Sequence, residues 1–141
     1  MQNWNRIYGP RGFYQYQFVV PHENAQDAVG EVLERIAASG QGSFLAVLKT
    51  FGNLPAQGML SFPRPGVTLA LDFPNRGDAT KRLFATLDNV VRQADGALYP
   101  AKDARMQGED FRRAYPAWEA FQSFIDPCFS SNFWRRVTCQ G

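Results

Sequence analysis

The chain is predicted to fold as an α+β domain: an antiparallel sheet with a βαββαβ (ferredoxin-like) core, helices on one face and extra helices at the C-terminus. Aromatic and β-branched runs punctuated by Gly and Pro mark strands, and two longer stretches with apolar residues at three- and four-residue steps mark helices. Their order, strand-helix-strand-strand-helix-strand, is that of a split βαβ unit, in which an antiparallel sheet buries one face under two helices.

The first strand covers Phe13–Val20, between Gly12 and Pro21. A helix over residues 23–39 follows, its apolar stripe made by Ala25, Val29, Val32, Leu33 and Ile36, with Gly40 as the stop. Residues 43–51 form a second strand closed by Gly52. The Pro- and Gly-rich stretch 53–66 admits only a short extended piece, from Met59 to Phe62. A third strand spans residues 67–73. Asp78 is placed to cap a second helix carrying Leu83, Leu87, Val90 and Ala94, ended by Asp95-Gly96 before a short strand over residues 97–99. From Gly108 the pattern is again helical around Phe111, Tyr115, Trp118, Phe121 and Phe124. Pro116 and Asp126-Pro127 break it into short helices that pack around the sheet.

At 141 residues the chain has the length of one domain with a real core and not of two, so residues 1–141 read as a single domain. Twelve Phe, five Tyr and three Trp make it aromatic-rich, and that surface must find cover. A net charge of +2 with scattered Lys and Arg excludes an electrostatic footprint for nucleic acid or an anionic membrane. The longest apolar run, residues 44–48, is far shorter than a membrane span, and the Met-Gln-Asn-Trp-Asn-Arg start lacks a hydrophobic signal core. Cys128 and Cys139 have neither metal-ligand spacing nor the density of a disulfide scaffold; read as free thiols, with no targeting signal, they place the chain in the cytoplasm. His22, at a strand-to-helix corner, suits a capping or surface role, and no metal set is read.

Side chains alternate across a strand, so parity assigns faces. Tyr14, Tyr16, Phe18 and Val20, with Phe44, Ala46 and Leu48 and with Val67, Leu69, Leu71 and Phe73, would meet the helices. The opposite face carries Phe13, Gln15, Gln17 and Val19, then Leu45, Val47, Lys49 and Phe51, then Thr68, Ala70 and Asp72. A solvated face would be dominated by charge; this one mixes apolar residues with two amides and one lysine, as ligand sites and covered surfaces do. Either a partner lies above it, or it packs on the chain's own C-terminal helices or a second copy, with Gln15 and Gln17 pairing across it.

A series of short motifs runs through these segments. It opens with Trp4-Asn5-Arg6, Tyr8-Gly9, Gly12-Phe13 and Gln15-Tyr16-Gln17-Phe18-Val19, then Ser43-Phe44-Leu45, Val47, Lys49 and Phe51-Gly52. Leu60-Ser61-Phe62-Pro63, Pro65-Gly66, Asp72-Phe73-Pro74, Leu98-Tyr99, Ala101-Lys102-Asp103 with Arg105, Tyr115-Pro116, Asp126-Pro127 and Ser131 with Arg135-Arg136 continue it. Over nearly the whole chain the series resembles the C-terminal substrate (cap) domain of FAD-linked oxidases of the vanillyl-alcohol oxidase superfamily, most closely the decaprenylphosphoryl-ribose oxidase-like group.

The resemblance implies a division of labour. A separate N-terminal FAD-binding domain holds the dinucleotide, and this domain lays its sheet over the isoalloxazine ring and holds the substrate. The matching contact positions are Gln15, Gln17, Lys49, Phe51, Tyr99 and Lys102. Tyr99, Lys102 and Gln17 fall on the cofactor side, with Lys102 the flavin-side cation. Lys49 is the substrate-side cation; together the two lysines are the candidate catalytic residues. Gln15 and Gln17 offer donors and acceptors to sugar hydroxyls, and Phe51 an apolar wall. Thr68 and Ala70 also line the substrate site, standing where cell-wall members of the family present Asn and Cys.

The implied reaction oxidises a secondary alcohol of a sugar or sugar derivative: hydride passes to FAD and the hydroxyl proton leaves to a base or water. A sugar-lactone (aldonolactone) oxidase of the same superfamily is the alternative within the enzyme class. A stand-alone binding or dimerisation module, self-associating through the open face, is the alternative outside it. No stretch resembles the Gly-rich pyrophosphate-binding loops of a flavin domain. The FAD-binding domain is therefore read as absent from this chain, an excised piece or a truncated reading frame, and activity is not expected of it alone.

Overall fold

The structure, a computed structural model, describes residues 9–102 and 105–138. Trp4, Asn5, Arg6 and Tyr8 of the motif series, with Asp103 and Cys139, lie outside these. Four strands, β1 (Phe13–Val20), β2 (Ala46–Phe51), β3 (Gly66–Pro74) and β4 (Ala97–Leu98), form one sheet in the order β2-β3-β1-β4, every neighbouring pair antiparallel. The helices are α1 (Ala25–Ala38), α2 (Asp78–Gln93), α3 (Gly108–Ala114), α4 (Trp118–Gln122) and α5 (Asn132–Thr138). The predicted α+β class and its βαββαβ core are what forms.

Alternation explains why β1 and β3 occupy the centre. Tyr16 stands opposite Leu71 and Phe18 opposite Leu69, and these residues with Val20 and Phe73 are buried against Val32 and Ile36 of α1 and Leu83, Phe84, Leu87 and Val91 of α2. Phe18, Val20, Phe73, Val32 and Leu87 keep no exposed surface, the burial that dominates folding free energy. Gly40, with φ of 65°, turns the chain out of α1 as expected, its N–H donating to the Ala37 carbonyl at 3.2 Å.

The structure corrects four local expectations. The short extended piece at residues 59–62 is no strand: Gly58 N–H donates to Ser61 Oγ and Ser61 N–H to the Gly58 carbonyl, closing a turn instead. Asp78 does not cap α2 but begins it, after Gly77; Asn75 Oδ1 accepts from Gly77 N–H and Thr80 Oγ1 from Arg76 N–H, so neighbouring side chains tie this corner. The second strand starts at Ala46 because Phe44 N–H and the Leu45 carbonyl both bond to Asp72, two residues against one as in a bulge. Finally, Phe44, Ala46 and Leu48 do not meet the helices. α2 packs over β1 and β4 and α1 over β3, which leaves the edge strand β2 beyond helical cover and Phe44 and Leu48 exposed.

The C-terminal helices mainly extend the core past β4, and on the open face the last residue of α3, Ala114, packs only against the Val19, Phe62 and Ala97 end. Phe111, Tyr115 and Val137 join the cluster under the helices, and Tyr115 Oη donates to the Leu98 carbonyl at 2.7 Å. Arg92 Nε and Nη2 grip the two carboxylate oxygens of Asp110 at 2.7 and 3.0 Å, fastening α3 to α2. Among the described residues no helix is long and apolar enough to cross a membrane. Cys128 is an exposed free thiol, and His22 is exposed with Nε2 3.2 Å from the Phe51 carbonyl.

Candidate functional site

The open face is ordered by the strand register. Gln15 lies opposite Asp72, Gln17 opposite Ala70 and Val19 opposite Thr68; on the other side of β3, Val47 lies opposite Ala70 and Lys49 opposite Thr68. Two cross-strand bonds hold the amides: Gln15 Nε2 donates to Asp72 Oδ1 at 3.1 Å and Gln17 Nε2 to Thr68 Oγ1 at 3.3 Å. Thr68 in turn donates to the Phe18 carbonyl at 2.7 Å and has 1% of its surface exposed, so its hydroxyl is committed to holding Gln17. Thr68→Val is expected to lower stability by about 1–2 kcal/mol, the cost of stranding buried polar partners, read as a shift in urea midpoint at constant m.

One end of this face is covered by the chain itself. Phe62, from the β2–β3 connection, is buried with Val19 and Ala97, stacks on Tyr99 at a centroid distance of 4.4 Å and meets Phe51 edge-on at 6.0 Å. The rest stays open: Gln15, Gln17, Val47 and Ala70 are half-buried, and Leu45 and Lys49 are exposed.

A cleft opens at the β1 edge for a topological reason. β4 pairs only with Phe18 and Val19, and the ladder ends where Tyr99 N–H donates to the Gln17 carbonyl at 2.9 Å. Beyond that point strand pairing has ended, and β1 and the neighbouring 3-10 turn Pro100–Lys102 border a cleft lined by Tyr14, Gln15, Tyr16, Gln17, Phe84, Leu98, Tyr99, Lys102 and Arg105. Behind it lies a buried polar group. Asp88 of α2 accepts from Tyr16 Oη at 3.0 Å and from Arg105 Nη2 at 2.6 Å, and the Arg105 guanidinium sits 5.3 Å from the Phe84 ring centroid. Burial pushes the Asp88 carboxyl up, against the opposing pull of Arg105 and the Tyr16 hydroxyl, and burial with the adjacent carboxylate pushes the Tyr16 hydroxyl well up.

Of the residues singled out in sequence, Gln15, Gln17, Tyr99 and Lys102 come together at the cleft, and Phe51 joins Tyr99 through Phe62. Lys49 stands apart on β2. Three strand spacings, about 14 Å, separate the two outer strands, so Lys49 and Lys102 bracket the face rather than converge on one atom. Ala70 lies at the centre of the face and Thr68 beneath Gln17. Sequence reasoning placed Asp72 on the open face and Phe62 in the motif series without giving either a role, and it missed Asp88, whose readable signal is a carboxylate inside the apolar stripe of Phe84, Leu87 and Val91.

Fold and face together define a small ferredoxin-like α+β domain with one sheet face left partly open. The chain is 41% identical over 140 residues to the decaprenylphosphoryl-beta-D-ribose oxidase of Mycolicibacterium smegmatis, covering 95% of this chain and 30% of that protein. It is 31% identical over 131 residues to an uncharacterized protein in the mprA 5′ region of Streptomyces coelicolor, covering 89% of this chain and 35% of that one. The chain thus spans about a third of the length of these curated relatives, and the resemblance to a decaprenylphosphoryl-ribose oxidase-like domain stands. No protein-family model matches it. An X-ray structure of prephenate dehydratase from Streptococcus mutans overlaps 60% of this chain and 39% of its own, with a TM-score of 0.38 and 10% identity, too little to bear on fold or function.

Proposed function

We propose that the chain is the substrate-side domain of an FAD-dependent oxidoreductase acting on a secondary alcohol of a sugar derivative, its open sheet face closed by an N-terminal FAD-binding domain. The observation that carries this reading is the half-covered face itself, with Gln15, Gln17, Lys49 and Tyr99 arranged on and around it. The relative that names a substrate is an oxidase of a phosphoryl ribose.

The residues present fit the ring end of FAD. Ala70 and Val47 rise little from the sheet between the longer Gln15, Gln17 and Lys49, giving a small flat floor with amide and ammonium groups around it. They do not fit its dinucleotide end, since the connections entering α1 and α2 carry no Gly-rich loop. When bound, FAD would supply the hydride acceptor for converting the alcohol to a carbonyl, with the hydroxyl proton leaving to a base or water.

The chain's own part is positioning and charge. Gln15 and Gln17, each fixed through its amide nitrogen, keep a carbonyl oxygen to accept from sugar hydroxyls. Lys49 holds the substrate from the β2 side, and Lys102 supplies positive charge where negative charge develops on the ring. Substrate choice then rests on Ala70 and the amides, because the Thr68 hydroxyl is already committed.

Grafting the chain onto the flavin-bearing remainder of the Mycolicibacterium smegmatis relative tests this reading. A yellow protein whose flavin is bleached anaerobically by a sugar derivative is the expected result, while the chain alone, incubated with FAD and then freed of unbound flavin by gel filtration, is colourless. A folded, yellow chimera that no phosphorylated sugar, free sugar or aldonolactone bleaches would sink it.

A further inference from the structure

We propose that Asp88 is a positioning residue: through Arg105 on one wall and Tyr16 on the other, its carboxylate sets the width of the cleft that carries Gln15, Gln17, Tyr99 and Lys102. The argument starts from the length of β4. Backbone pairing stops at Gln17 and Tyr99, so nothing in the ladder fixes the turn Pro100–Lys102 relative to the rest of β1. That turn buries none of its own side chains. On its N-terminal side it is held by Tyr99, stacked on Phe62. On its C-terminal side the next described residue is Arg105, and Arg105 is held by Asp88.

Tyr16 supplies the other half. It lies between Gln15 and Gln17 on β1 with its side chain on the helix face, and its hydroxyl donates to the second oxygen of the same carboxylate. One carboxylate on α2 therefore ties both walls of the cleft, a side-chain bridge standing where strand pairing has ended. Asp88 is 6% exposed, and Arg105, against the Phe84 face, keeps 25% of its side-chain surface, so the bridge is buried at its carboxylate end and partly screened at its guanidinium. The width so fixed decides where Lys102 stands, and its catalytic consequence rests on the flavin-side role proposed above.

Amide hydrogen exchange on the flavin-bearing protein tests the bridge directly. In Asp88→Asn, and in Arg105→Met, which keeps the apolar stem over Phe84, the Tyr99 and Lys102 amides are expected to exchange at least about tenfold faster while those of the β1–β3 ladder keep wild-type protection. In the same variants kcat is expected to fall about 10–100-fold, with KM for the alcohol nearly unchanged. Unchanged exchange at Tyr99 and Lys102, or equal acceleration throughout the sheet, would overturn the proposal. Local acceleration combined with a wild-type rate in Lys102→Ala would overturn the flavin-side role of Lys102 and leave the bridge standing.

Discussion

Lys102→Ala, in the flavin-bearing protein, is expected to slow reduction of the flavin by substrate by about 10²–10³-fold, the usual loss when a preorganised group that stabilises developing charge is removed. The reason is its place. Lys102 ends a 3-10 turn, its N–H donating to the Tyr99 carbonyl at 3.1 Å, and it lines the cleft beside Gln15 and Gln17. On the proposed flavin-side reading, a cation held there would stabilise the charge that develops on the ring, and an interaction that strengthens only then would lower the barrier without tightening substrate. Lys49→Ala should behave differently. On the far edge strand, exposed and opposite Thr68, it has the substrate-side role in the proposed function, so its loss should raise KM more than it lowers kcat. Rapid-mixing measurement of flavin absorbance separates the two. Wild-type reduction rates in Lys102→Ala would remove it from the chemistry, and the same KM-against-kcat split in both variants would defeat the division between them.

How much of this was legible in sequence depended on whether a residue's neighbours were local. β1 was read to the residue and β3 to within one, because one of their faces is packed and strict alternation survives there. The open face, and Gln15 and Gln17 on it, followed from the same parity. β2 was legible as a strand but not as an edge. Its bulge at Phe44 and Leu45 depends on Asp72, far along the chain, and the exposure of Leu48 depends on where α1 comes to rest. The bonds that hold the amides needed the register of β1 against β3, which neither strand states alone. The cleft needed something subtler, the shortness of β4. The sequence reads as a strand over residues 97–99, but the strand ends at Leu98, and that early end is what opens the cleft between Lys102 and β1.

Gly66→Ala should be among the most destabilising single-methyl additions in the chain, costing about 2–5 kcal/mol from backbone strain and overpacking together. Gly66 opens β3 at φ of 150°, a conformation that side-chain-bearing residues rarely adopt. A Cβ there would lie 2.2 Å from the Val20 carbonyl oxygen and 3.3 Å from Val19 Cγ2. The obstacle is backbone at the buried end of β1, so it cannot swing aside as a side-chain tip would. Relief has to come from moving one strand. Gly66 pairs with Phe51, and Phe51 meets Phe62, which stacks on Tyr99; a shift at this corner therefore reaches the aromatic group that anchors one wall of the cleft. Gly52→Ala is the matched control, since a Cβ at that exposed position meets nothing within 4 Å. Urea unfolding should show a lowered midpoint in Gly66→Ala alone, with slower flavin reduction in the folded protein at low denaturant. Equal midpoints for the two variants would mean the strand corner has slack that the close approach of Gly66 to Val20 denies.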